Sequence, residues 1–173
     1  MHRIGVTITC LLLGSLTAGL ANAGPRFIDT NAFATDGNLR AADAISTSQP
    51  IHGGLFVTFK EVGLGSNAGT LYRVTADASA TYGCVNGGSN HPKATNKQTV
   101  AGPVAASATF SSDQNGQVSG SIAVAPLSPG TLSCPQGQTQ ELVSVSYTNV
   151  VVTDLTNGIS SSIPGTFSLT FFK

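Results

Sequence analysis

The strict alternation of small or apolar residues with polar ones from Tyr72 to Cys84 constrains the fold of this chain more than any other feature. Every second position is held by Tyr72, Val74, Ala76, Ala78, Ala80, Tyr82 and Cys84. Five of the six residues between them are polar, namely Arg73, Thr75, Asp77, Ser79 and Thr81, and the sixth is Gly83. A period of two places successive side chains on opposite faces of a strand, so this segment predicts a long antiparallel strand with one face buried. The alanines on the inner face require bulkier residues from an opposing sheet to fill the space above them.

Further short strands with turn residues between them are predicted along the rest of the chain. They cover residues 51–62, 99–111, 117–125, 141–153 and 159–172, and the last is broken at Pro164 and Gly165. No segment has the apolar spacing of an amphipathic helix. About seven strands at this spacing favour an all-β fold, an antiparallel, immunoglobulin-like β-sandwich, with a barrel as the alternative.

Three local details of the strands can be predicted from the same residues. Residues 113–116 end in Asn-Gly, which tolerates the positive φ of a hairpin turn and would join strands 99–111 and 117–125. Two apolar registers meet between Asn149 and Val152, and this predicts a bulge. In the strand before that bulge, Val143, Val145 and Tyr147 are expected to face the core.

Residues 1–23 have the pattern of a secretory signal peptide. A basic start at Arg3 is followed by the apolar stretch 4–20 and by Ala21-Asn22-Ala23, which predicts cleavage before Gly24. A membrane anchor fits less well, because the stretch is short and rich in Gly and Thr. No later stretch is long and apolar enough for a span, so we expect a secreted mature protein. Residues 24–50 read as an N-terminal arm, an edge segment or a pro-region, and residues 51–173 as the sandwich.

Export determines how the cysteines are interpreted. Cys10 lies in the leader, which leaves Cys84 and Cys134 as a pair in an oxidising compartment and predicts one disulfide. Closing a loop of this length is worth about 4 kcal/mol in the chain-entropy model. A metal site is the weaker reading, because only His52 and His91 could complete the ligand set. We expect no metal and no cofactor.

Charge and motif content argue against several functions. The chain has 8 Lys and Arg against 8 Asp and Glu, too few and too balanced for a nucleic-acid partner. Tryptophan is absent and the tyrosines are predicted to point inward, which argues against stacking on sugars.

No catalytic site is expected either. Ser89 and His91 lack the Gly-x-Ser-x-Gly motif and the strand-turn-helix setting of a catalytic serine. The acids are scattered, with Asp77 outward and Asp113 and Asp154 in turns, so no catalytic pair is expected and we predict that the protein is not an enzyme.

Residues 75–98, with the sequence TADASATYGCVNGGSNHPKATNKQ, combine an Ala/Thr-rich strand that ends in Cys with an Asn-x-Gly-Gly loop. A Cys-Pro segment follows at 133–138. In these features residues 51–173 resemble a group of small secreted microbial β-sandwich proteins, although many members carry an aromatic where this chain has Gln138-Thr139. The resemblance implies the sandwich, the bridge and secretion. The group has no assigned biochemistry, so it implies no active site.

The loops 86–98 and 126–140 would be joined by the disulfide into one polar surface, which predicts a binding site on a rigid scaffold. The candidate binding residues are Asn86, Ser89, Asn90, His91, Lys93, Asn96, Gln136 and Gln138. We therefore expect a secreted, non-catalytic interaction protein, a candidate effector acting on a host, a competitor or a cell-wall component. Its partner would be an extracellular protein or a glycan. The alternative is a weak polysaccharide-binding or cell-wall-associated structural protein.

Overall fold

The computed structural model describes residues 24–37, 51–66, 68–86 and 96–172. Its regular elements are the strands β1 Arg26–Ala34, β2 Leu55–Val62, β3 Gly69–Asn86, β4 Lys97–Ser111, β5 Val118–Val124, β6 Gln138–Asp154, β7 Ile159–Ile163 and β8 Phe167–Thr170. All pairings between them are antiparallel. The long alternating segment forms β3, which lies between β4 and β6.

The strands form two sheets that pack face to face. One has the order β1-β2-β5, and the other has the order β4-β3-β6-β7 with β8 also paired to β6. If the first seven strands are lettered A to G, the sheets are ABE and DCFG. The constant-type immunoglobulin arrangement, ABED and CFG, differs in the position of the fourth strand. The predicted antiparallel, immunoglobulin-like sandwich is confirmed, with eight strands because the last one is divided at Pro164 and Gly165.

The core lies between the inner faces of the two sheets. Leu55 and Val57 of β2 and Ile122 of β5 face the small residues of β3, as the alanine run predicts. Tyr147 of β6 is fully buried, and its hydroxyl donates a hydrogen bond of 2.7 Å to the carbonyl oxygen of Gly53. This bond satisfies the polar atom that burial would otherwise leave without a partner.

Strand β6 contains two register shifts against β3. The first lies opposite the Thr75–Asp77 stretch, where Asn149 adopts a φ of 52°, and this confirms the predicted bulge. The second lies beside Tyr82, which pairs with Leu142. Val143 is the extra residue of this bulge, since Ser144 pairs with Thr81 and Leu142 with Tyr82. The predicted burial of Val143 is confirmed, and Leu142 is buried in the core as well.

The turn at 112–117 joins the two sheets and does not form a hairpin. Asp113 Oδ1 accepts hydrogen bonds from the backbone N–H groups of Asn115 (2.8 Å) and Gln117 (2.9 Å), and Gly116 has a φ of 71°. The turn chemistry is as expected, but β4 pairs with β3 and β5 pairs with β2. The predicted hairpin is wrong, because a turn sequence specifies chain reversal and does not specify which strand the next segment pairs with.

The segment 24–50 contributes the edge strand β1. It pairs with β2 from Arg26 opposite Val62 to Ala34 opposite Leu55. Residues 38–50 lie outside the described residues, as does the expected signal peptide at 1–23. Within the part of the chain that the structure describes, no helix has the length and apolar character needed to cross a membrane.

Candidate functional site

A disulfide fixes one end of the sandwich. Cys84 lies near the end of β3, and Cys134 lies in the loop between β5 and β6. The two residues are bonded, with their Cα atoms 5.5 Å apart, and they are separated by 50 positions in the sequence. The predicted bridge is confirmed, and it connects a loop to the end of a strand as the sequence indicated.

Hydrogen bonds tie the rest of the β5–β6 loop to the strands beside it. The Tyr82 hydroxyl donates to the Leu127 carbonyl oxygen at 2.7 Å, and the side-chain amide of Gln140 donates to the Leu132 carbonyl oxygen at 3.1 Å. A longer contact of 3.4 Å joins Gln98 to the Thr131 hydroxyl. These bonds come from three different strands, so the loop is held along its length and not only at Cys134.

The predicted binding residues that the structure describes meet at this end. Asn86 lies opposite Gln138 in the β3–β6 ladder, and Asn96 immediately precedes β4. Gln136 is exposed in the loop itself. The other predicted residues, Ser89, Asn90, His91 and Lys93, lie outside the described residues. We refer to the loop 125–137, together with the bordering ends of β3, β4 and β6, as the disulfide-tied end.

The side chains of the loop 125–137 favour hydrogen bonding over proton transfer, and the charged groups of the disulfide-tied end, Lys97 and Glu141, lie on the bordering strands. Apart from the bonded Cys134, residues 125–137 contain no titratable side chain. Their exposed groups are hydroxyls, an amide and backbone groups, which donate and accept hydrogen bonds without changing charge near neutral pH. Burial raises the pKa of Tyr82 above its usual value, so its hydroxyl stays protonated and keeps donating to the loop.

The sequence reasoning missed a buried carboxyl group between the sheets, at Glu61 of β2. Glu61 has no exposed surface and faces Tyr72 of β3 and Asp154 of β6. Burial, followed by the negative charge of Asp154, raises the pKa of Glu61 to about 7, and the Tyr72 hydroxyl opposes this rise. No described group meets hydrogen-bond geometry with either carboxyl oxygen of Glu61. Protonation of Glu61 therefore removes a buried negative charge that is shielded from solvent and is not stabilised by a well-aligned hydrogen-bond donor among the described residues.

The partner carboxylate, Asp154, is well supplied with donors. Its oxygens accept from the backbone N–H groups of Thr156 (2.8 Å) and Asn157 (2.9 Å) and from the side-chain amide of Asn157 (2.6 Å). The expected turn role of Asp154 is confirmed by these bonds. They also hold the Asp154 carboxyl group in place beside Glu61.

A sequence signal for Glu61 was present in the parity of β2. Leu55, Val57 and Phe59 face inward, and Glu61 is the next residue on the same face.

The described residues contain no group of three or more His, Cys, Asp and Glu placed to hold a metal ion. No protein-family model, no curated protein and no solved structure matches this chain.

Proposed function

We propose that this chain is an exported, non-catalytic interaction protein whose disulfide-tied end contacts a component of a host, a competitor or a cell wall. The observation that carries the proposal is the attachment of the loop 125–137 by one disulfide and by hydrogen bonds from Tyr82, Gln98 and Gln140. A connecting loop needs no such attachment. A surface that is fixed before binding loses less conformational entropy when a partner docks.

The chemistry of this end supports binding without catalysis. The exposed groups of Ser133 and Gln136 present hydroxyl and amide atoms, and the loop offers no acid or base within its own sequence. Uncharged polar groups on a rigid surface give hydrogen-bond complementarity at the edge of an interface. The partner that fits is an extracellular protein or glycan with a polar, uncharged contact surface.

A single charge placed on the loop should weaken binding. We expect Gln136→Asp to reduce retention of the protein partner about tenfold in an interaction screen against extracellular proteins, because the new carboxylate loses its hydration when the partner covers it. The matched control is Ser119→Asp, an exposed change on β5 in the other sheet. Equal retention of wild type and Gln136→Asp, or no retained component at all, would overturn the proposal.

Export is tested separately by the mass of the protein recovered from the medium of a secreting host. We expect a chain that begins at Gly24 and weighs 2 Da less than the reduced form, because forming the disulfide removes two hydrogens. Retention of the protein in the cell, or two free thiols on labelling, would contradict the expectation.

A further inference from the structure

The outer face of the five-stranded sheet is lined by hydroxyl groups, and we call it the hydroxyl face. Its outward hydroxyl residues are Thr99, Ser107, Thr109 and Ser111 of β4, Thr75, Ser79 and Thr81 of β3, Thr139, Ser144, Ser146, Thr148 and Thr153 of β6, Ser160 and Ser162 of β7, and Ser168 and Thr170 of β8. The charged side chains among the described outward residues of these strands are Arg73 and Asp77 of β3, Lys97 of β4 and Glu141 of β6, two of each sign. Of these, Asp77 alone lines either of the two grooves described next, so the face is polar and its charges balance.

Two shallow grooves lie side by side on this face and share Thr148. One, of about 490 Å³, is lined by Asp77, Ser79, Ala101 and Ser146, and small residues of β4 form its outer wall. The other, of about 580 Å³, is lined by Asn149, Val151, Ser162, Pro164 and Thr166, in the gap where the last strand is divided into β7 and β8. Together they cross four strands, a length of about 14 Å at the usual strand spacing.

A carboxylate and an amide are held together where the grooves meet. The bulge in β6 places Asn149 in a left-handed conformation, and its side-chain amide donates a hydrogen bond of 2.7 Å to Asp77 Oδ2. Both side chains are exposed. The bond fixes the orientation of the Asp77 carboxylate and of the Asn149 amide. Their oxygen atoms therefore already face solvent in a fixed direction, and little side-chain entropy is lost when a ligand binds.

The chemistry of the grooves selects a neutral, hydroxyl-rich ligand. The carboxylate of Asp77 forms strong charge-assisted hydrogen bonds with hydroxyl donors, and it repels phosphate, sulfate and acidic sugars. Val151, Pro164 and Ala101 supply apolar contact for the C–H faces of sugar rings. The combined length matches several linked units better than one small molecule. We propose that these grooves bind a neutral oligosaccharide, a site separate from the disulfide-tied end.

NMR titration of the isotope-labelled mature protein with soluble oligosaccharides from β-glucan, cellulose and chitin tests the proposal. At least one of the three should shift the backbone amide signals of Asp77, Thr148, Asn149 and Ser162. Asp77→Asn should weaken this binding about tenfold, because the charged acceptor is lost while the shape is kept. Thr148→Val, which removes one hydroxyl, should weaken it less.

The control variant is Ser107→Ala, which lies on the same face outside both grooves and should bind as wild type does. Gln136→Asp should also bind the saccharide normally, so that failure at this site and failure of the proposed function give different results. The proposal is overturned if none of the three saccharides shifts these signals, if Asp77→Asn binds equally well, or if an acidic oligosaccharide binds as tightly. The proposal is also overturned if Asp77→Asn binds the saccharide as wild type does but no longer binds a protein partner.

Discussion

Replacing Glu61 with glutamine should stabilise the protein by about 3 kcal/mol at about pH 8 and change its stability little at about pH 4. Folded Glu61 keeps its proton up to a pKa of about 7, whereas the unfolded chain releases it near 4.5. The protonated form therefore stabilises the fold fully below about pH 4.5, and this contribution is lost as the pH rises through 7. Glutamine carries no charge at either pH, so the pH-dependent loss disappears.

Urea unfolding of both proteins between about pH 4 and pH 8 measures this difference directly. Subtracting one curve from the other removes the contributions of the remaining acids. Glu141→Gln is the matched control, because Glu141 is exposed on β6 and this variant should keep the pH profile of the wild type. A constant difference between wild type and Glu61→Gln across this range would contradict the assignment of a raised pKa to Glu61.

Removing the disulfide should lower the free energy of unfolding by about 4 kcal/mol. The bond joins residues 50 positions apart, so its loss increases the freedom of the unfolded chain more than that of the folded one. The double variant Cys84→Ala with Cys134→Ala should show a lower urea midpoint. It should also show faster amide exchange in residues 125–137, because the loop loses its covalent attachment.

Tyr82→Phe is the control that separates the covalent attachment of the loop from its hydrogen bonding. It removes the bond to the Leu127 carbonyl oxygen and keeps the disulfide, so we expect a loss of about 1 kcal/mol. An unchanged urea midpoint in the double cysteine variant, or a larger loss in Tyr82→Phe than in that variant, would show that the disulfide is not the main constraint on this end.

The fold class could be predicted from the sequence because its signal is local and repeated. The alternation from Tyr72 to Cys84 places five polar side chains on one face of β3, and the structure keeps that register except at the bulges. The bulge at Asn149 was also predictable, since the apolar parity visibly changes there. Each of these features depends on side chains within a few residues of one another.

Pairing between strands could not be predicted with the same success. Nothing near 112–117 shows that β5 pairs with β2, since that pairing joins residues about 60 positions apart in the sequence, as Glu61 opposite Val118 shows. The second bulge in β6 was missed because Leu142 and Val143 are both apolar, so no change of parity is visible between them.

The candidate sites show the same limit. The bridge between Cys84 and Cys134 followed from counting cysteines in a chain expected to be exported, whereas the β3–β6 pairing places Asn86 opposite Gln138. Glu61 lies beside Asp154 only because the two sheets pack together, so the sequence does not show the pair. The burial of Glu61 alone could have been predicted, by extending the inward-facing positions of β2 to the end of the strand. The contact between Asp77 and Asn149 likewise joins residues 72 positions apart.

A hydrogen-exchange footprint of the mature protein with its captured partner tests most directly whether the disulfide-tied end is the binding surface. We expect slower exchange in residues 125–137 and at the adjoining ends of β3 and β4, with unchanged exchange in β1 and in the turn at 155–158. Slower exchange centred on β1 or on that turn, with residues 125–137 unchanged, would contradict the proposed function.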